Sequence, residues 1–381
     1  MTKQITVRAT GGHELLALLP QLAGTSLRRS LVCIAFRGST VIGVLRHDLP
    51  RRMADHPVLV TAVVGAVCRI EGADGIIVAV YSDREYPRTN GVAERRLLDR
   101  TCARLEDAGF EAHDGFLVAA TGWGSVSDPC VPVGGHDLGL IDAAASVLPT
   151  LGEAMPEPRP PVADRARAAR LRRRLLALRE RSSTEWLHRE LGAQIDPIEL
   201  VERVLHEPAP SDAQGAWFAE LAASAVFRDA IVLQIAFGAS VGEIALEGMA
   251  GAADEVEQMP EHEWSGDSGR SEGSDEFVSE LYLGRTRLKP AAARVEAGLV
   301  FVEQLLVDLP RANRPGVHCI AGWLHWALGR GSRAGEHLDR ALEIDPDHAM
   351  ACLLDMYLGS GALPEWAFVR DDEAEALPGA D

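Results

Sequence analysis

An α/β domain built on a mixed sheet with a β-hairpin and crossover helices, followed by an all-α region, is the architecture this 381-residue sequence predicts. Three observations carry it. "IIVAVY" (76–81) is apolar on both faces and rich in β-branched residues, the pattern of a central parallel strand. The helical stretch "GVAERRLLDRTCARLEDAG" and then the strand "EAHDGFLVAAT" follow it, which makes a right-handed crossover. Beyond Leu138 strand signals cease and one helical pattern succeeds another.

The elements follow in order. "HELLALLPQLAG" spaces its apolar residues helically, with Pro20 and Gly24 as the expected stop. "LVCIAF" and "VIGVLR" flank "RGST", a hairpin with a short glycine-containing turn. "HPVLVTAVVGAVCRI" is an apolar helix starting near Pro57 and broken at Gly72 to Gly75. The helix after "IIVAVY" carries Leu97, Leu98, Cys102 and Leu105 on one stripe and ends at Gly109. Residues 1–150 form the α/β domain on this reading, and "MPEPRPPVADR" makes 151–165 a proline-rich linker. A helical region occupies 166–250. It opens with a helix that has Leu171, Leu175 and Leu178 on one face and eight arginines elsewhere. Residues 251–278 read as an acidic disordered insertion, 279–369 as further helices and 370–381 as an acidic tail.

Within 279–369, "HCIAGWLHWALGRGSRAGEHLDRALEIDPDH" resembles one tetratricopeptide unit. Gly322, Gly329, Ala334, Leu338, Ala341 and Pro346 match its small, apolar and helix-ending positions. His318, Ala321 and His325 stand where that motif has its first-helix aromatic and leucine positions. A single unit cannot bury its apolar face alone, so it must stack on the neighbouring helices.

Composition narrows the functional classes. The chain is 47% hydrophobic and 25% charged, with mean hydropathy −0.01, as in globular proteins. A net charge of −18 disfavours nucleic acid and anionic membranes as partners. For the arginine-rich helix the expected neutralisers are therefore acidic side chains rather than phosphates. The apolar runs fall short of a bilayer span and the first residues lack a signal-peptide pattern, so a cytoplasmic location is expected. Six cysteines are scattered with no C-x-x-C pair, so no metal site and no cofactor are expected. Cys33, Cys68 and Cys102 are expected in the core.

Ligands in open α/β sheets bind beyond the carboxyl ends of the strands. The residues expected there are Ser82, Asp83 and Arg84 after "IIVAVY", and Thr121 to Ser125, including Trp123, after "FLVAA". His47 and Asp48 end the second hairpin strand and could lie at either edge. Trp123 is read first as a packing lid and second as a stacking platform. Cys130, extended between two prolines, would need His136 as a base to act as a nucleophile. No G-x-G-x-x-G, phosphate loop or nucleophile elbow is present, which leans the reading away from an enzyme.

Residues Leu15, Leu16, Ala17, Pro20, Leu22, Gly24, Ser30, Leu31, Val32, Arg37, Gly38, Asp48, Leu49 and Pro50 match the opening of a bacterial family. With "VAVYSD" and with Asp128, Pro129, Cys130, Pro132 and Gly134 or Gly135, the chain resembles domain-of-unknown-function family 4192. Val131 departs from the pattern by replacing a second cysteine. The resemblance implies an architecture and no reaction. It completes the candidate ligand-binding set: Ser30, Asp48, Asp83, Trp123, Ser125, Asp128 and Cys130. The expected function is a non-enzymatic interaction or regulatory protein that docks a protein partner through its helical C-terminal region. The alternative is an enzyme or small-ligand binder using the strand ends and the 121–136 loop.

Overall fold

A computed structural model describes residues 9, 11–23, 27–50, 52–87, 93–148, 161–181, 196–207, 210–247 and 272–369. The chain forms two compact units, Met1–Pro158 with Ser360–Ala362, and Arg159–Gly359 with Leu363–Asp381. The linker as far as 160, the acidic insertion as far as 271 and the tail from 370 lie outside the described residues.

In the first unit five strands form one mixed sheet in the order β2-β1-β3-β4-β5. They are β1 (Ser30–Arg37), β2 (Thr40–Asp48), β3 (Gly75–Tyr81), β4 (Glu111–Ala119) and β5 (Gly122–Ser125). Only β3 and β4 run parallel; β1 is antiparallel to both β2 and β3, and β5 is antiparallel to β4. The expected hairpin and crossover are both present. Alternation along β1 splits the unit into two apolar layers, because successive side chains leave a strand on opposite faces. Val32, Ile34 and Phe36 pack with helix α1 (Gly12–Leu22) and with Ile141 of α4 (Gly139–Val147). Leu31 and Cys33 pack with α2 (His56–Cys68) and α3 (Ala93–Asp107).

Three local expectations are corrected here. Pro20 does not stop α1 but sits inside its last turn, and the helix runs to Leu22; so near the end a proline costs only one hydrogen bond. Thr121 to Ser125 is not wholly a loop at the sheet edge, since Gly122–Ser125 turns back as β5. Cys68, expected in the core, is exposed at the last turn of α2, whereas Cys33 is buried and Cys102 half-buried. Desolvation pushes the Cys33 thiol up to about 12, which makes it inert.

His47 of β2 pairs with Leu31 and so faces the α2 layer, buried, with no partner for Nε2 among the described residues. Burial, assisted by Arg46, pulls its pKa from 6.5 to about 4. Between those values the unfolded chain binds a proton that the native unit refuses. Stability therefore falls as pH drops from about 6.5 toward 4 and levels off below. The expected loss from pH 7 to pH 5 is about 2 kcal/mol. Urea unfolding at both pH values should show it, and His47→Leu should remove that share; an unaltered pH slope in the variant would refute the assignment.

The second unit is all-helical. It comprises α5 (Arg165–Arg181), α6 (Pro197–His206), α7 (Asp212–Ala223), α8 (Ala225–Phe237), a helical segment at 239–247, α9 (Glu272–Tyr282), α10 (Ala292–Asp308), α11 (Pro315–Ala327), α12 (Gly331–Ile344) and α13 (Ala349–Gly359). The end of the segment expected to be disordered, from Glu272, is thus helical. Helix starts follow their caps. Asp196 accepts from the Ile198 and Glu199 amides, and Ser211 with Gln214 forms a capping box before α7. Every residue of α11 is buried, which makes it the central helix of this unit. Small residues let α12 approach it: a methyl on Gly322 would sit 3.2 Å from Leu338, and Ala334, Leu338 and Ala341 are fully buried. In α5 Leu171 and Leu175 are buried, while Arg167 and Arg170 pair with Asp212 and Arg167 also with Asp308. Those carboxylates neutralise two of the helix's arginines within the unit itself.

Candidate functional site

The register decides what the sheet edge holds. Because β1 runs antiparallel to both of its neighbours, its first residue, Ser30, pairs with the last residue of β2, Asp48, and with the last of β3, Tyr81. All three lie at the carboxyl edge of the parallel β3–β4 pair. That answers which edge Asp48 occupies. Arg46, two residues before Asp48, shares its face and donates to it at 2.8 Å. Just past β3, Asp83 stands 3.7 Å from Arg28, both well exposed.

Three buried polar atoms of this cluster have no hydrogen-bond partner among the described residues: Ser30 Oγ, Tyr81 OH and Arg46 Nε. Burial drives the Tyr81 phenol well above its ordinary value, so it is a neutral donor. An unmade buried hydrogen bond costs about 1–3 kcal/mol, and such groups in native proteins call for an explanation. The chain entering β1 is also strained. Arg29 takes a left-handed backbone (φ 41°), and its carbonyl accepts from the Leu49 amide at 2.7 Å. Non-glycine residues in that region cluster at functional sites.

The other sequence-predicted residues, Trp123 apart, go elsewhere. β5 carries Ser125 away from the carboxyl edge to pair with Phe116, against the expectation that it reaches that edge. Its hydroxyl there donates to both oxygens of Asp114, at 2.8 and 2.7 Å. Trp123 is buried as a packing residue: its ring lies 4.8 Å from that of His136, and Nε1 donates to the Asp137 carbonyl. That burial is the packing role expected of it, at the level of Tyr81 in the sheet. Asp128 accepts from the Cys130 amide at 2.8 Å and bonds His136 Nε2 at 2.9 Å. Those two bonds hold its carboxyl below the usual carboxylate range. Asp128 thus orients His136 through Nε2, while exposed Cys130 is tied to the same carboxylate by its backbone amide; among the described residues no hydrogen bond links the Cys130 thiol to His136.

The loop is held against β5 by glycine. His136 and Trp123 exchange backbone hydrogen bonds at 2.7 and 3.1 Å, and a methyl on Gly122 would lie 2.3 Å from the Gly134 carbonyl. Thr121, Gly122 and Trp123 of this stretch stay at the carboxyl end: Trp123 pairs with Val118, which pairs with Tyr81, and the Thr121 hydroxyl accepts from the Tyr86 amide at 2.8 Å.

Ser30, Asp48, Asp83 and Trp123 are thus brought to one edge, while Ser125 bonds Asp114 and the Asp128–Cys130 turn bonds His136. Sequence reasoning missed Arg46 and Tyr81. The available signal was strand alternation, which puts Arg46 on the face of Asp48 once the hairpin is aligned.

The family model for a domain of unknown function, DUF4192, matches residues 13–245 and 285–365, most of the chain. The chain belongs to the DUF4192 family. No curated protein and no solved structure matches it. Among the described residues of this DUF4192 chain, no helix is long and apolar enough to cross a membrane.

Proposed function

We propose that the α/β unit binds a small ligand carrying an anionic group at the carboxyl edge of its sheet. The observation that carries this reading is that Ser30 Oγ, Tyr81 OH and Arg46 Nε are each buried and unpartnered among the described residues, on one face at one end of three adjacent strands. Two hydroxyls and a guanidinium, with Arg28 nearby, offer donors to a carboxylate or phosphate. Asp48 and Asp83 pair with Arg46 and Arg28, and would accept from hydroxyls of the same ligand. Binding is favoured over catalysis because the cluster offers donors, and among the described residues Ser30 Oγ has no base in hydrogen-bond contact.

The test exploits a sign. A hydroxyl kept for a ligand is a stability cost in its absence, so Ser30→Ala and Tyr81→Phe should each leave the free protein as stable or raise it by about 1 kcal/mol. Thermal-shift screening with small phosphates and carboxylates should stabilise the wild-type chain and not the double variant. Destabilisation of the free variants by more than about 1 kcal/mol would mean the hydroxyls hold structure, and the reading would fail.

Docking of a protein partner by a tetratricopeptide-like helical region is the second reading. One observation favours it: Leu353 and Met356, one turn apart on α13, are 55% and 68% exposed. Affinity capture with wild-type chain and with Leu353→Ser/Met356→Ser should then return different partner sets, and identical sets would end it.

A further inference from the structure

The helical unit contains a polar cluster that neither reading uses. Half-buried Glu303 of α10 meets buried His318 and His325 of α11 and His337 of α12 at the edge of the helical core, with Arg330, Arg333 and Arg340 nearby. The three histidines are 4–5% exposed. His318 and His325 are seven residues apart, two turns on one helix face, and α12 crosses that face with His337. The His325 and His337 rings stack at 5.3 Å, and His318 Nδ1 lies 3.0 Å from His337 Nδ1. His325 Nε2 bonds Glu303 Oε1 at 3.1 Å, while its Nδ1 is buried with no partner among the described residues.

Three buried imidazoles on adjacent helices are a poor way to fill a core. Each carries a donor and an acceptor that must be met where water does not reach. Here the protein satisfies one nitrogen of His325 and leaves the other empty. Glu303, His325 and His337 each present one ligating atom within 4.8 Å of the other two. Bound donor atoms in a tetrahedral site lie about 3.4 Å apart, so side-chain adjustment of about an ångström closes the set.

We propose that Glu303, His325 and His337 hold a divalent first-row transition-metal ion such as zinc. Two imidazoles and a carboxylate suit such an ion and leave a coordination position open, whereas magnesium and calcium prefer all-oxygen sets. The ion would draw a lone pair from each imidazole and the negative charge of Glu303, which together offset the cost of burying it. His318 is a positioning residue. Its contact with His337 Nδ1 orients that ring, as outer partners of metal-bound histidines do. The site lies in the helical unit, and so stands or falls independently of the sheet-edge ligand.

Zinc itself is the probe. Untagged full-length chain, stripped with a chelator, should bind one equivalent of Zn2+ in calorimetric titration and melt at a higher temperature when loaded. Cobalt should give visible d–d absorption from nitrogen and oxygen ligands. Glu303→Gln, His325→Gln and His337→Gln should each weaken the site at least tenfold, while circular dichroism checks that they fold. His318→Gln should weaken it less and alter the cobalt spectrum. His136→Gln, in the other unit, should change nothing. If the stripped wild-type chain takes up no stoichiometric metal, or if the triple Gln variant binds as the wild type does, the proposal is overturned. Should the Gln variants be unfolded, cobalt's spectrum on the wild-type chain still decides, because a surface site of carboxylates and water gives no tetrahedral band.

Discussion

Gly316→Ala is expected to destabilise the helical unit by about 3 kcal/mol, lowering its melting point by about 6–12 °C. Gly316 lies in the first turn of α11, where the last turn of α7 crosses it. A methyl group there would stand 2.0 Å from the Ala222 carbonyl oxygen and 2.8 Å from its carbon. Both are backbone atoms, so no side chain can rotate away and one helix must move. Helix propensity alone would predict the opposite sign, because alanine is favoured over glycine in a helix by about 1 kcal/mol. Gly335→Ala in α12 is the matched control. A methyl there meets nothing within 4 Å, so that variant should gain stability by about 0.5–1 kcal/mol. Differential scanning calorimetry of both variants reads the contrast, and two shifts of the same sign would contradict it.

Trp323→Ala is expected to cost about 3–5 kcal/mol. The side chain is fully buried in α11 and donates from Nε1 to the Tyr282 carbonyl at 2.9 Å. Its ring is in contact with Tyr282, Trp326 and Trp366, at centroid distances of 5.8, 5.7 and 6.3 Å. Truncation removes those contacts, opens a cavity among rigid aromatic rings and takes the donor from a part-buried carbonyl, and each of these adds to the loss. Trp323→Phe keeps most of the ring volume and gives up the hydrogen bond, so it should fall well short of the alanine variant. Urea unfolding followed by helical circular dichroism would measure both; an alanine cost below about 1.5 kcal/mol would show that the aromatic cluster collapses to fill the gap.

Much of the architecture is written in short-range pattern. The β-branched run of β3, the "RGST" hairpin and the leucine stripe of α3 each declare their period within about ten residues, and the structure places each of them as read. β5 could not be read that way. It is four residues with two glycines, and only its pairing with β4 and the loop's return onto Trp123 make it a strand. The same holds for the sheet-edge cluster. Ser30, Asp48 and Asp83 could be named as residues at strand ends, but the placing of Ser30 beside Tyr81 on the face that carries Arg46 rests on antiparallel register across three strands.

The histidines mark the boundary most sharply. In the sequence, His318 and His325 are departures from a repeat motif, and His337 is one of twelve histidines with no ligand spacing around it. Local order therefore follows from the sequence alone: an α/β unit, then helices, with a hairpin, a crossover and an amphipathic face for each. Those features depend on side-chain period and turn chemistry, which act over a few residues. What tertiary structure alone decided is which polar groups become neighbours: Ser30 beside Tyr81 on the sheet face that carries Arg46, and Glu303 with three histidines. Such meetings depend on strand register and helix crossing, set by packing between segments far apart in the chain, and no local pattern encodes them.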